Sequence, residues 1–281
     1  MANFDYIFSA EWFEKNYRAN PYKFHHVPKG TAIVIDAPDQ FAHGIPTIFL
    51  QLEPEVIKPQ QKYLIENAAK YAAIITYNEN ILAVCPNARR YIHGTKWLLP
   101  SIYEGHDPSI KRFQISHLAG SKRINNAPGH IFRQIIHHTQ AKLRTFPVTF
   151  FRSSGQHPHI QDYGNNPLLG DSKAPLFETY QYAFITENSR AANYFTEKLV
   201  DCLLMKTIPI YYGAPNIGSF FDTTGWIILE TGSHAEIQAK LSTLGPTSYA
   251  DTYSVILKNY QTALGYCDIY KNIDDAFRNH T

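Results

Sequence analysis

Short apolar runs of strand type recur along this chain, with stretches of helical periodicity between many of them. That alternation constrains the fold more than any other feature. The runs are residues 31–37 (TAIVIDA), 47–53 (TIFLQLE), 71–77 (YAAIITY), 113–118, 146–151 (FPVTFF), 182–186 (YAFIT), 207–213 (TIPIYYG) and 225–229. Helical patterns cover residues 10–18, 60–70, 130–143, 194–205, 234–244 and 254–264. Strands alternating with helices predict parallel sheets covered by helices on both faces. The polar, turn-rich segment 103–109 separates two groups of runs. The expectation is an α/β chain of two Rossmann-like domains, residues 1–106 and 107–281, facing a central cleft. Ligands of such sheets bind beyond the carboxyl ends of the strands. Residues 266–281 read either as a helix crossing back to the first domain or as a loose tail.

The composition supports a large core. Of 281 residues, 44% are hydrophobic and 18% charged, and the formal net charge is +2. Disorder requires fewer apolar residues and more net charge. A weakly basic chain without a run of Lys and Arg does not carry the footprint of a nucleic-acid binder, though a local basic pocket remains open to it. The aromatic share, 14%, fits either an aromatic core or rings lining a sugar or nucleotide site. Cys85, Cys202 and Cys267 form no CxxC pair, and the N-terminus has no basic segment followed by an apolar one. An odd cysteine count without a signal peptide points to reduced thiols in a cytoplasm. No segment reaches the roughly 18–20 apolar residues that span a bilayer. The pairs His25–His26, His137–His138 and His157–His159 lack a Cys or carboxylate at ligand spacing, so no metal site is expected. Residues 153–175, rich in Gly, Pro, Asn and His, read as a long loop of the kind that serves as a lid.

Residues 182–221 are the most informative. They read as a strand, a polar turn, a helix and another strand, one β-α-β unit. Asn193 is the expected helix cap. Tyr194, Glu197 and Lys198 follow at positions that share one helix face. A helix N-terminus attracts anions through its free N–H groups and its dipole. Lys198 adds a full charge for a phosphate oxygen, and Glu197 beside it suits a neutral polyol next to that phosphate. An amphipathic helix with a solvated Glu–Lys pair would show the same spacing.

Glu187-Asn188-Ser189, Tyr194-Phe195-Thr196-Glu197-Lys198 and Ile208-Pro209-Ile210-Tyr211-Tyr212-Gly213-Ala214-Pro215 stand in the order and spacing of a known signature. The stretch resembles the donor-binding motif of the α1,3-fucosyltransferase family, glycosyltransferase family 10. It departs at Ala183, where family members often have Lys, and at Tyr212, where many have Trp. The resemblance implies a GT-B type fold and inverting transfer of fucose from GDP-fucose to a hydroxyl of a glycan acceptor. It implies no metal and no other cofactor. Asn188, Ser189 and Tyr194 would then bind the nucleotide or its phosphates, Lys198 the diphosphate, and Glu197 and Glu187 the sugar or the positive charge it develops.

Residues 115–134 resemble the first strand and helix of the family's donor domain, where an Arg reaches the diphosphate. Arg133 is the best match, with Lys122 and Arg123 as neighbouring alternatives. A guanidinium can hold two phosphate oxygens at once. Residues 47–55 carry acidic side chains past a strand's carboxyl end, and they resemble the acceptor-domain segment whose Glu is the general base. That position falls on Glu53, with Glu55 second. Residues 74–88 and 94–98 also read like acceptor-domain sequence. Two other readings remain: the same fold with another donor such as GDP-mannose, and a non-catalytic module that binds glycan or nucleotide. Without the anchor usual in Golgi glycosyltransferases, the expectation is a cytoplasmic enzyme of bacterial or viral type, soluble or peripheral at a membrane, or else a trimmed piece of a longer, anchored chain.

Overall fold

The structure, a computed structural model, describes residues 5–40, 44–119, 124–142, 148–153, 172–245 and 248–278. It divides into two compact units. The first comprises Met1–Gly94, Ala191–Tyr194 and Asp268–Thr281, and the second Thr95–Arg190 and Phe195–Cys267.

The chain opens with β1 (Tyr6–Phe8), α1 (Glu11–Ala19), β2 (Thr31–Ile35), β3 (Thr47–Leu50), α2 (Gln61–Glu66), β4 (Ala73–Thr76), α3 (Glu79–Val84) and β5 (Ala88–Arg90). It continues with α4 (Pro100–Tyr103), β6 (Arg112–Ala119), α5 (Pro128–Lys142), β7 (Val148–Arg152) and β8 (Tyr180–Thr186). Then come α6 (Glu197–Leu204), β9 (Ile208–Tyr212), β10 (Ile227–Ile228), α7 (His234–Leu241), α8 (Ser248–Asp251), α9 (Tyr253–Leu264) and α10 (Ile269–Arg278).

In the first unit the sheet order is β1-β2-β3-β4-β5, and every pairing is parallel. Successive side chains of a strand point to opposite faces. Ile33, Ile35, Ile48, Leu50 and Ile75 accordingly pack with Phe13 and Tyr17 of α1 and with Tyr270, Ile273 and Phe277 of α10. Val34, Phe49 and Ile74 face the other way, onto Leu64 of α2 and Ile81 of α3. Burial on both faces is why these strands read as unbroken apolar runs rather than alternating ones.

Residues 269–278 thus form a helix of the first unit. Asp274, fully buried, fastens it. Its carboxylate accepts the backbone N–H of His26 at 2.8 Å and of Val27 at 2.9 Å, that of His25 at 3.0 Å, and the Tyr22 hydroxyl at 2.8 Å. The Asn272 side chain donates to the Gly94 carbonyl at 2.7 Å.

In the second unit the order is β10-β9-β8-β6-β7, again all parallel. β6 comes first in the chain and lies between its two successors, so the winding direction turns between β6 and β8. There Ile115 pairs with Tyr182 and Ser116 with Ala183. One sheet face packs on α5 and α7 through Phe132, Ile136, Ile237 and Leu241. Helix α6 is buried at every position except Lys198. A helix buried all round is ordinarily apolar, yet this one takes Glu197 and Asp201 inside with it. Among the described residues no helix is long and apolar enough to cross a membrane.

Candidate active site

In a doubly wound sheet the reversal of strand order leaves a crevice where ligands bind. In the second unit a cavity of about 120 Å³ is lined there by residues of β6 and β8, and by Arg133, Lys173, Lys198 and Asp201. Three cations around one cavity suit a ligand with several anionic oxygens.

Helix α6 begins at Glu197, and its cap is Thr196, whose hydroxyl accepts from the Lys198 N–H. This corrects the expectation of a cap at Asn193. Asn193 adopts a left-handed backbone, φ +62, which Asn tolerates better than most residues. It belongs to the first unit, where its side chain donates to the Tyr77 carbonyl at 3.3 Å and to Glu79. Tyr194 also belongs to the first unit. Its ring lies 4.9 Å from that of Tyr77 and 5.8 Å from that of His93. Tyr194 therefore precedes the helix and does not share a face with Glu197 and Lys198.

The α6 start is held by Glu187, which is fully buried. Its carboxylate accepts from Thr196 N at 2.8 Å and from the Thr196 hydroxyl at 2.9 Å. Thr196 Oγ1 in turn accepts from Lys198 Nζ at 3.0 Å. Lys198 Nζ lies 3.2 Å from Glu197 Oε1 and 3.7 Å from Glu187 Oε2. Burial works against charge on Lys198, but the carboxylates of Glu197 and Glu187 outweigh it and raise its pKa. Burial pushes the Glu187 carboxyl up, with Lys198 opposing. Glu187 thus lies behind the cation and orients it; no part of it is exposed.

Arg133 is placed by α5. Its guanidinium donates to the Thr186 carbonyl at 2.5 Å and to Asn188 Oδ1 at 3.0 Å. His117 Nε2 lies 3.2 Å from the Arg133 carbonyl, and burial drives the His117 pKa down to about 3. The imidazole is neutral and adds no charge to compete with Arg133. Ser189 is buried beside this turn. A Cβ on Gly129, in the first turn of α5, would stand 1.7 Å from the Glu187 carbonyl oxygen. Only glycine lets α5 approach the Glu187–Asn188 backbone this closely.

Lys173 and Asp201 are site residues that sequence reasoning missed. Lys173 Nζ lies 3.4 Å from Glu197 Oε1 and 3.3 Å from the centre of the Trp97 ring. Asp201 accepts the backbone N–H of Trp97 at 3.0 Å and of Leu98 at 3.2 Å. Burial raises its pKa to about 7. Asp201 follows Glu197 by one helical turn, a spacing visible in the sequence; Lys173 is tied to Glu197 only by the tertiary fold. Lys122, Arg123, the pair His157–His159 and residues 154–171 of the expected lid lie outside the described residues.

In the first unit the carboxyl ends of β2 to β5 gather Asp36, Gln51 to Glu53, Tyr77 and Tyr91. Here the structure separates the two acidic candidates. Glu55 Oε2 accepts the Gln60 and Gln61 N–H groups at 2.9 and 3.0 Å, and its Oε1 accepts from the Gln51 amide at 2.8 Å. Both oxygens of Glu55 are occupied, Oε2 at the start of α2 and Oε1 by the Gln51 side chain just after β3. Glu53, half-buried, stands in the turn just after β3.

Comparison with known proteins agrees with this topology. Residues 134–253 match the family model described as glycosyltransferase family 10 (fucosyltransferase) C-term. A GDP-fucose protein O-fucosyltransferase 3 of Danio rerio is 34% identical over 83 residues, 25% of this chain and 18% of that protein. The chain therefore matches less than a fifth of that relative's length. A crystal structure of an α1,3-fucosyltransferase with GDP-fucose is 17% identical, covering 89% of this chain and 82% of its own, with a TM-score of 0.52. One with GDP is 16% identical, at 95% and 92% coverage and a TM-score of 0.53. A UDP-forming α,α-trehalose-phosphate synthase from Burkholderia vietnamiensis is 13% identical, at 89% and 70% coverage and a TM-score of 0.55. At these identities the likeness is one of fold alone, two parallel-sheet α/β units of GT-B type.

Proposed function

We propose, from a chain whose residues 134–253 match the family model of the glycosyltransferase family 10 (fucosyltransferase) C-terminal domain, that this protein is a glycosyltransferase. Its donor is GDP-fucose, its acceptor a hydroxyl of a glycan, and its reaction inverts the anomeric carbon without a metal. The observation that carries the reading is the cavity at the strand-order reversal, with Arg133 and Lys198 on its wall.

The chemistry follows from those groups. Departure of GDP builds negative charge on the β-phosphate. Arg133 and Lys198 are cations already fixed in place, so they stabilise that charge without reorganising. Fixed cations of this kind can do the work that a divalent ion does elsewhere. Lys198 keeps its proton because Glu197 and Glu187 neighbour it. Glu197, 3.2 Å from that ammonium, is the group for the sugar hydroxyls or for the positive charge the ring develops. Asn188 and Ser189 serve the nucleotide side. Glu53 of the first unit is the general base that takes the acceptor's proton. Attack from the face opposite GDP turns a β-linked donor into an α-linked product.

Calorimetric titration of GDP, UDP and ADP with a chelator present tests the reading. GDP alone should bind, and GDP-fucose should then turn over where GDP-mannose does not. Binding of UDP instead, or of GDP only once metal is restored, would refute the donor assignment. GDP binding without turnover of any GDP-sugar would identify a non-catalytic module.

A further inference from the structure

Asp36 directly follows β2, and its backbone is left-handed, φ +48. Outside glycine this conformation is uncommon, although Asp adopts it more readily than most residues, and here surrounding contacts fix it. Its backbone contacts lead to the turn after β3, and the Gln60 side chain joins them from the start of α2. Strand β3 ends at Leu50, so the N–H groups of Leu52 and Glu53 have left the ladder and need acceptors. Asp36 Oδ1 accepts from Leu52 N at 2.8 Å, and Oδ2 accepts from Glu53 N at 3.0 Å. The Gln60 amide donates to Oδ1 at 3.1 Å. The Asp36 N–H donates to the Leu50 carbonyl at 3.1 Å. The left-handed backbone turns this carboxylate toward the end of β3.

We propose that Asp36 is a positioning residue for Glu53: it fixes the backbone from which the Glu53 carboxylate projects, and through it the general-base step. The inference rests on the reading of Glu53 as base. The other ionisable groups near Asp36 are Lys58, whose ammonium donates to the Asp36 carbonyl at 3.3 Å, and the buried phenols of Tyr77 and Tyr91, which feel both Asp36 and Glu53. Glu55 also acts on Tyr77. Burial raises the Asp36 carboxyl, while the donors of Leu52, Gln60 and Glu53 and the charge of Lys58 oppose that rise.

The test is GDP release from GDP-fucose with water as acceptor, followed across the acid limb of its pH profile. Asp36→Gly relaxes the backbone and removes the carboxylate; turnover should fall roughly 100-fold, the cost of a misplaced catalytic group. Asp36→Asn suits the left-handed backbone and keeps one acceptor, so it should lose less. Its acid limb should move to lower pH, because a negative charge beside Glu53 is gone. GDP affinity should stay that of the unmodified protein in both. Full turnover by Asp36→Gly, an unmoved acid limb in Asp36→Asn, or lost GDP binding in either would overturn the proposal. Glu53→Gln separates the two readings. If it turns over normally, the base assignment itself is wrong; if it is inactive while both Asp36 variants are fully active, only the role of Asp36 is refuted.

Discussion

Lys198 is the one position of α6 that is not buried, and three side chains, Thr196, Glu197 and Glu187, orient its ammonium. Lys198→Ala should weaken GDP binding and lower turnover about 10²–10³-fold, the effect of removing one preorganised stabiliser of developing charge. It also strands the buried Glu187 without its cation, so thermal unfolding should show a loss of roughly 3–5 kcal/mol. Glu53→Gln should keep GDP affinity and lose about 10²–10⁴-fold in turnover. Glu55→Gln should keep turnover and lose about 1 kcal/mol by weakening the start of α2; if it instead abolishes transfer, the assignment of the two carboxylates is reversed. Side-chain chemistry at this scale was legible in the sequence, but direction was not. Glu187 reads as an acidic neighbour of a sugar, and only the fold turns it inward onto Thr196. Lys173 was hidden because its partner Glu197 lies 24 positions away.

The close meeting of α5 and the end of β8 depends on Gly129. In Gly129→Ala a methyl group would overlap the Glu187 backbone, and backbone cannot swing aside as a flexible side chain can. Denaturant unfolding should show a loss of at least about 1–3 kcal/mol, with GDP binding impaired because Asn188, the partner of Arg133, shifts. Unchanged stability and binding would mean that α5 can slide away from that turn. The long, doubly buried strands and the helices between them could be read from apolar runs and periodicity. Strands β1 and β5 could not, since three residues carry no period. The cap of α6 was misplaced because Asn193 has the right chemistry for a cap, yet the first unit claims its side chain through Tyr77 and Glu79.

Across the whole molecule the two units should answer acid and base in opposite ways. In the first, the backbone donors and His26 that converge on Asp274 hold its carboxyl at about 2 against the opposing effect of burial. Its folded pKa is depressed, so its stabilisation is present above roughly pH 4, the unfolded value, and is lost as pH falls toward 2. The amount is about 2 kcal/mol. In the second, burial raises Asp201 to about 7. That contribution is complete below roughly pH 4 and is lost as pH rises through 7. Asp274→Asn should flatten the acid side of the stability profile, and Asp201→Asn, which keeps an acceptor for Trp97 and Leu98, the neutral side. Trp12 lies in the first unit, and Trp97 and Trp226 in the second, so fluorescence of variants that keep only Trp12 or only the other two can follow each unit. Identical profiles for wild type and variants would refute both assignments.

The first unit draws its last helix from the far end of the chain, and this sets a timetable for biosynthesis. Ile33, Ile48 and Phe13 leave the ribosome early, but Tyr270, Ile273 and Phe277, which cover them, are translated only after the whole second unit. At roughly 5–20 residues per second that greasy sheet face waits on the order of ten seconds or more for its lid. The nascent chain should therefore be a client of holdase chaperones during that interval, and the unit begun first should be the last to become protease-resistant.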